Sequence, residues 1–270
     1  MNNYKRLNYA FSIILIGIIP FISNAQKLPT EQTGSVTLPP EFKIDGLANE
    51  WNDKFQAHSK NTEINYTLAN NSQFLYLAVQ ATDPLIIKKI IGGGITFTIN
   101  TSGRRADNSP FSLTFPIIAN NRQIFVFTSL VDMALYANQK KSEDSVINVV
   151  NNKITTVAKE IKVKGFKTIA DTLIAVYNDT GIKSATQVNK SGALICEFLV
   201  PIELLGISPN SGKMVFYNVM VNGVTSIQQS NPAPGVTVRS VPHTLSTNSS
   251  NINIAQYPTD FWGEYTLAKK

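Results

Sequence analysis

Residue types that perform catalysis are sparse in this sequence. Histidine occurs only at His58 and His243, and no Gly-x-Ser-x-Gly elbow is present to expose a nucleophilic serine. Neither a His-Glu-x-x-His nor a Cys-x-x-Cys pattern supplies metal ligands. No dedicated calcium loop is present, although acidic side chains together with loop carbonyls could still bind calcium. The candidate side chains are Asp83, Asp107, Asp179 and Glu197. We therefore expect no catalytic centre and no cofactor.

Aromatic residues near the C-terminus are better candidates for a binding role. In "FWGEYTLA" (261–268) the alternation places Trp262 on the polar face of a strand, opposite Phe261 and Tyr265. An indole ring on such a face can stack against the C–H groups of a sugar. In the alternative, Gly263 marks a β-bulge that turns Trp262 back into the core. Tyr257, five residues before Trp262, would extend the aromatic patch.

The segment "GGGITFTINTSGRRADN" (92–108) carries a second group of candidate ligand contacts. Its glycines lack the spacing of a phosphate-binding loop, and a strand follows them where a helix would be required. Arg104 and Arg105 lie close to Asn100, and guanidinium and amide groups suit the hydroxyl and carboxylate groups of a sugar or uronic acid. A solvated hairpin tip would have the same composition, so both interpretations stay open.

The other tryptophan, Trp51 in "KIDGLANEWND" (43–53), is predicted to be structural. Leu47 precedes it by four residues, so one helical turn would place both side chains on the same face. Asp45 and Gly46 are typical turn residues that would direct the chain into this contact. A tryptophan in such a setting is usually buried, which predicts a core anchor rather than a ligand platform.

The N-terminus is typical of an export signal. Lys5 and Arg6 precede an apolar run over residues 10–22, and small residues then predict a signal peptide that ends at Ala25. The apolar run contains a proline and is shorter than the roughly 20 residues of a membrane-spanning helix. We expect the mature chain, residues 26–270, to be secreted or periplasmic and to have no membrane span.

Charge and cysteine content narrow the class of protein further. The sequence has 24 Lys and Arg residues, two of them in the signal peptide, and 18 acidic residues, so the mature chain has a net charge of +4. Its basic residues are scattered, whereas a nucleic-acid partner would require a concentrated basic face. Cys196 is the only cysteine and alternates with Leu194 and Phe198, which predicts a small buried hydrophobe without a disulfide.

Short runs with a period of two, separated by turn residues, predict β-strands along most of the mature chain. The predicted strands cover 63–68, 74–81, 95–101, 112–117, 123–128, 173–178, 193–200, 214–221 and 261–268. The run at 74–81 is apolar on both faces, as in a central strand, whereas Pro116 assigns its run to a sheet edge. The pattern predicts an all-β sandwich of mostly antiparallel strands over residues 41–270, after a polar lead-in at 26–40.

Helices are predicted to be few and short. Asp83 and Pro84 form a start signal, and Gly92 would end the helix that follows. A similar pair of start and stop signals, closer together, predicts a shorter helix at 201–206, and a longer helix is predicted near 142–152. The segment 226–258 is rich in Ser, Asn and Pro and is predicted to be a long loop excursion.

Four motifs occur in an order known from one protein family. "KIDGLANEW" (43–51) is similar to an Ile-Asp-Gly-x-x-x-x-Trp opening, and "NNSQFLYLAVQATD" (70–83) is similar to a strand motif of that family. "CEFLVPIELLGI" (196–207) is similar to a Glu-x-x-Ile-Pro-x-x-x-Leu segment, and "DFWGEYTLAKK" (260–270) to a closing strand. Together they resemble family 9 carbohydrate-binding modules and the related DOMON-like sandwiches. The resemblance implies an extracytoplasmic β-sandwich with a sugar-binding role.

Three hypotheses about function follow. The first is an exported, non-catalytic domain that binds polysaccharide or oligosaccharide through Trp262, Tyr257, Arg104, Arg105 and Asn100. The second is a structural or protein-interaction domain of the cell envelope, which predicts an exposed apolar patch or a free sheet edge. The third is a glycan hydrolase, which requires two facing carboxylates whose separation the sequence does not reveal.

Overall fold

Two antiparallel β-sheets form the frame of the structure. The computed structural model of the protein describes residues 27–52, 54–105, 109–118, 143–208, 211–224 and 256–269. The strands are β1 Ala57–Ser59, β2 Ile64–Asn70, β3 Phe74–Ala81, β4 Ile95–Asn100, β5 Phe111–Phe115, β6 Glu160–Lys164, β7 Leu173–Ala175, β8 Lys183–Val188, β9 Leu194–Pro201, β10 Met214–Val221 and β11 Thr259–Thr266. The first sheet has the order β1-β2-β3-β9-β8, and the second has the order β11-β10-β4-β5-β6-β7.

The inner faces of the two sheets share one hydrophobic core. Tyr66 and Leu68 of the first sheet and Phe97 of the second are fully buried in it, because alternation turns every second side chain inward. The rings of Phe97 and Phe198 lie 6.2 Å apart, centroid to centroid, across the interface between the sheets. The predicted antiparallel sandwich is therefore confirmed within the described residues.

A second, smaller core covers the outer face of the first sheet. Residues 28–52 and 54–55 run across this face, where Trp51 and Phe55 pack against Tyr76 of β3. β3 and β9 thus bury both of their faces, which confirms the central position predicted for the doubly apolar run in β3. Trp51 is 9% exposed and is a core anchor as predicted, although its helical turn is a 3-10 helix, Asn49–Trp51, that begins after Leu47.

The edge position predicted for the proline-containing strand is wrong. β5 pairs with β4 on one side and with β6 on the other. Its last residue is Phe115, so Pro116 follows the strand and removes no hydrogen bond from the ladder. Alternation in the sequence extends the predicted strand two residues too far.

Strand lengths also differ from the sequence pattern in the region of β6 to β8. The run predicted at 173–178 is a strand only over Leu173–Ala175, because the Asn178 amide donates to the carbonyls of Ala175 and Ile182 and closes a turn. β1, β6 and β8 were not predicted. The predicted strand at 123–128 lies outside the described residues, as does most of the segment 226–258.

Two α-helices are described, α1 Pro84–Gly93 and α2 Glu143–Val157. The Asp83 carboxylate caps α1 by accepting from the backbone N–H groups of Leu85 and Ile86 at 2.8 and 3.2 Å, so the predicted start is confirmed. The helix ends at Gly93 because Gly94 adopts a φ of 74°, beyond the predicted stop. α2 extends five residues past its predicted end. The short helix predicted at 201–206 is a 3-10 helix, Ile202–Leu205.

Candidate functional site

Trp262 projects from the outer face of the second sheet. β11 pairs with β10 residue for residue along its whole length, so no bulge interrupts it at Gly263. Phe261 and Tyr265 contact the core between the sheets, and alternation therefore points Trp262 away from that core. The alternative in which Gly263 turns Trp262 inward is wrong.

Gly263 is required by a close approach of the Tyr217 ring. A Cβ atom at position 263 would overlap the ring and hydroxyl of Tyr217. Tyr217 is fully buried, and its hydroxyl donates to the hydroxyl of Tyr66 at 3.2 Å, so the ring cannot withdraw without breaking this contact. Glycine is thus the residue that lets β11 lie flat over Tyr217 while Trp262 faces outward.

We expect Gly263→Ala to lower the free energy of unfolding by about 1–3 kcal/mol, the usual cost of overpacking a core. Denaturant titration measures the change, and Glu264→Ala at the neighbouring exposed position is the matched control. Equal unfolding midpoints for the two variants would show that Tyr217 yields without cost.

A row of cross-strand neighbours begins at Trp262 and crosses the outer face of the second sheet. Asn218 of β10 lies opposite Trp262, and Thr98 of β4, Ser112 of β5 and Lys164 of β6 follow in register. Neighbouring strands lie about 4.8 Å apart, so this row is roughly 19 Å long. We call these five residues the polar track. Its threonine and serine are half-buried, Lys164 is exposed, and one aromatic ring lies at its end.

Two apolar side chains flank Asn218 on the same face of β10, and neither was predicted from the sequence to belong to the site. Phe216 and Met220 are half-buried and alternate with buried valine and tyrosine side chains. Phe216 lies diagonally beside Trp262, at the roughly 7–8 Å separation of diagonal neighbours in a sheet. The alternation in "MVFYNVMV" (214–221) was a signal for both residues, but only strand pairing places them beside Trp262.

Asn218 fixes the edge strand next to Trp262. It is 4% exposed, and its amide donates to the Asp260 carboxylate at 2.6 Å and to the Phe261 carbonyl at 3.0 Å. The Asp260 carboxylate is thereby held on the outer face, two residues from Trp262, where its oxygens can accept further hydrogen bonds.

The loop that carries Arg104 and Arg105 closes one end of this face. Asn100 ends β4 on the same face as Thr98, and its amide donates to the backbone carbonyls of Arg104, at 3.3 Å, and of Arg105. These bonds draw the loop to the outer side of the sheet, and both arginines are exposed. Asn100 itself is 1% exposed, so it positions the loop and does not reach a ligand directly, which corrects the sequence expectation.

Tyr257 lies at the opposite end of the same strand pair. It is 67% exposed and precedes β11, where its backbone lies against Gly223, just beyond the end of β10. Trp262 lies three residues inside β11, about 10 Å from the start of the strand. The expected patch of Tyr257 and Trp262 is therefore not formed by adjacent rings; the aromatic residue nearest to Trp262 in the strand register is Phe216, on the diagonal.

The residues of the sequence motifs meet in a buried network on the other side of the molecule. The Glu197 carboxylate accepts from the backbone N–H groups of Asp45 and Gly46, at 3.0 and 2.5 Å, and from the Tyr76 hydroxyl at 2.6 Å. Trp51 Nε1 donates to the same hydroxyl at 3.2 Å. This network binds the N-terminal segment to the first sheet, so these motif residues maintain the fold.

Burial controls the protonation of this network. Glu197 is fully buried, and desolvation raises its pKa to about 7, although the hydrogen bonds from Tyr76 and Gly46 act in the opposite direction. Desolvation also raises the pKa of Glu50, whose carboxylate lies in the same region, and raises the pKa of Tyr76 above its usual range. The free energy of unfolding should therefore depend on pH through Glu197.

Acidic residues of the described chain do not gather into a metal site, and the two that flank Trp262 lie well apart along their strand. No group of three or more His, Cys, Asp or Glu side chains is arranged to hold a metal ion in the described residues. Asp260 and Glu264 flank Trp262, but four strand residues separate their Cα atoms by about 13 Å. Among the helices that are described, none is long and apolar enough to cross a membrane.

Comparison with known proteins gives a distant structural likeness. No protein family matches the sequence. No curated protein matches it either. A family 9 carbohydrate-binding module from Caldicellulosiruptor kristjanssonii, solved in complex with glucose, is similar over 88% of this chain and 96% of that chain, with 10% identity and a TM-score of 0.39.

Proposed function

We propose that this protein binds carbohydrate without cleaving it, and that the outer face of the second sheet holds an extended oligosaccharide. The observation that carries the proposal is the outward-facing, half-buried ring of Trp262 at the end of the polar track. Pyranose rings have apolar C–H faces and hydroxyl edges, and this surface offers an aromatic plane next to hydroxyl and amide groups.

Each part of the face has a chemical role in this proposal. Trp262 and Phe216 contact the C–H face of one sugar unit, while Thr98 and Ser112 bond the hydroxyl groups of the units that follow. The roughly 19 Å length of the polar track suits several linked units better than a single enclosed one. The exposed guanidinium groups of Arg104 and Arg105 add affinity for a uronic acid carboxylate.

The test is calorimetric titration of the purified protein with neutral and uronic-acid oligosaccharides. We expect saturable binding that Trp262→Ala weakens by at least tenfold, because the stacking surface is removed. Tyr177→Ala is the control, since Tyr177 is 89% exposed and lies in the loop between β7 and β8, outside this face.

Three outcomes would decide the proposal. Binding that both alanine variants retain would move the ligand away from Trp262. If neither class of oligosaccharide binds, the carbohydrate proposal is overturned altogether. A preference for uronic acids that Arg104→Ala and Arg105→Ala abolish would extend the site to the loop after β4.

A protein ligand is the second candidate for the same face. Met214 is 40% exposed and lies on the outer face of β10 in line with Phe216 and Met220, which together with Trp262 make an apolar strip. Methionine and aromatic side chains are frequent at protein interfaces. Capture of an envelope protein that Met214→Asp abolishes, without any oligosaccharide binding, would favour this candidate.

We also propose that the protein acts outside the cytoplasm, after removal of residues 1–25. The basic start, short apolar run and small residues before Gln26 support this location. N-terminal sequencing of the protein recovered from culture medium or periplasm should begin at Gln26.

A further inference from the structure

A cavity of about 720 Å³ lies far from Trp262, at the edge strand of the first sheet. Its walls are the turn at 47–52, one side of α2, and the hairpin between β8 and β9. No residue of the polar track lines it. Its volume falls within the range of about 300–1,000 Å³ that small-molecule sites occupy, so it is large enough for a ligand of its own.

Hydrogen bonds hold the three walls at fixed separations. The Asn151 side chain of α2 donates to the Val188 carbonyl at 2.9 Å and accepts from the Val188 N–H at 2.7 Å. Gln187 Nε2 donates to the Asp45 carbonyl at 2.7 Å, which ties β8 to the turn. Asn189 Oδ1 accepts from the backbone N–H of Ala193 at 2.9 Å and so fixes the hairpin. The cavity is therefore formed before any ligand arrives.

The lining combines an apolar floor with a rim of amide groups. Ile147, Ala48 and Val188 are buried and supply the floor. The rim carries five asparagines, a glutamine, a serine and one lysine: Asn49, Asn52, Asn148, Asn151, Asn189, Gln187, Ser191 and Lys190. An amide both donates and accepts, which matches the dual capacity of a hydroxyl group. An apolar floor with a few convergent polar groups is the usual composition of a small-ligand site.

Three of the rim amides are not engaged in the fold. Asn49, Asn52 and Asn148 are exposed, and none of their side chains bonds another residue in the described part of the chain. They contrast with Asn151, whose amide both donates and accepts in holding α2 to β8. The walls are thus held by one set of amides while a second set remains free to bind.

We infer that this cavity is a second ligand site, which takes a small polyhydroxylated molecule such as a monosaccharide. Recognition rests on hydrogen bonds to Asn49, Asn52 and Asn148, because no aromatic side chain lines the cavity among the described residues. Lys190 at the rim is the one charged group in that lining, and it favours a sugar acid over its neutral parent. The inference does not depend on the extended site at Trp262.

The test uses the full protein with glucose, N-acetylglucosamine and glucuronate as probes in ligand-observed NMR. Asn148→Trp places a large side chain at the mouth of the cavity, and Asn152→Trp adds the same ring to an exposed position of α2 outside it. We expect at least one probe to bind, with a Kd at least tenfold higher in Asn148→Trp and unchanged in Asn152→Trp. If Asn148→Trp unfolds, the double change Asn49→Ala and Asn148→Ala replaces it.

Trp262→Ala separates this site from the proposed oligosaccharide face. Monosaccharide binding that survives Trp262→Ala and fails in Asn148→Trp supports the inference, even if no oligosaccharide binds the sheet. Monosaccharide binding that Trp262→Ala abolishes and Asn148→Trp retains would overturn it. Absence of binding for all three probes would also overturn it, whatever the oligosaccharide titration shows.

Discussion

The free energy of unfolding is expected to fall by up to about 3 kcal/mol as the pH rises from 4.5 to above 7, through the single carboxyl group of Glu197. In the folded protein, burial raises the pKa of Glu197 from its ordinary value of 4.5 to about 7. Between these two pH values the folded state keeps a proton that the unfolded state has released. The contribution of Glu197 to the free energy of unfolding is therefore fully present below pH 4.5 and is lost as the pH rises past 7.

Glu197→Gln isolates this contribution. Its amide oxygen can still accept from the N–H groups of Asp45 and Gly46, but the side chain no longer titrates. Denaturant titrations at several pH values should give a difference between the wild-type protein and this variant that changes by about 3 kcal/mol across the window. Glu203→Gln, at an exposed position, is the control and should follow the wild-type profile.

Glu50 contributes a weaker dependence of the same sign, because burial also raises its pKa. Part of the pH dependence should therefore remain in Glu197→Gln. A wild-type protein whose stability is constant between pH 4.5 and 8 would mean that the hydrogen bonds of Glu197 outweigh its desolvation, contrary to the pKa of about 7.

Gly46→Ala is expected to destabilise the fold by about 2–5 kcal/mol. Gly46 has a φ of 83°, and a left-handed conformation costs about 1–2 kcal/mol for any residue with a Cβ atom. The added Cβ would also lie 2.7 Å from the Thr186 carbonyl carbon and 2.8 Å from the Gln187 nitrogen, and overpacking costs about 1–3 kcal/mol more. Withdrawal of the turn would then break its bond to Glu197.

Gly103→Ala is the matched control for this change. Gly103 has a φ of 78°, close to that of Gly46, but no described atom lies within 4 Å of the position that an alanine Cβ would occupy there. Its cost should be that of backbone strain alone, about 1–2 kcal/mol. Thermal and denaturant unfolding measure both variants. Equal losses would show that the contact between the turn and β8 is not tight.

Local structure was largely predictable because the signals for it lie within a few residues. Alternation predicted the strands at β2, β4, β10 and β11, since a strand in a sandwich turns every second side chain toward the core between the sheets. Asp83 and Pro84 predicted the start of α1, because a capping carboxylate followed by proline satisfies or removes the first unpaired N–H groups. β6 was missed although Ile161 and Val163 alternate with exposed lysines, because those lysines give the run the composition of a solvated surface segment.

The roles of the motif residues could not be predicted from their order in the chain. "IDG", "LYL" and the glutamate of "CEFLVP" carry the resemblance to a sugar-binding family. In the structure the Glu197 carboxylate accepts hydrogen bonds from the Tyr76 hydroxyl and the Gly46 N–H, across sequence separations of 121 and 151 residues. Contacts of that range depend on how the sheets assemble, which no local pattern encodes.

The candidate site, like the fold, was predictable from the sequence only in part. By itself the sequence determined that Trp262 alternates with apolar residues and that two arginines occupy a polar loop, because both are properties of short segments. Tertiary structure decided that the strand has no bulge, that Phe216 and not Tyr257 adjoins Trp262, and that Asn100 is buried beneath the loop it holds. The physical reason is register: pairing of β10 with β4 joins residues more than 100 positions apart, pairing of β10 with β11 joins residues about 40–50 positions apart, and these pairings set which side chains share a face.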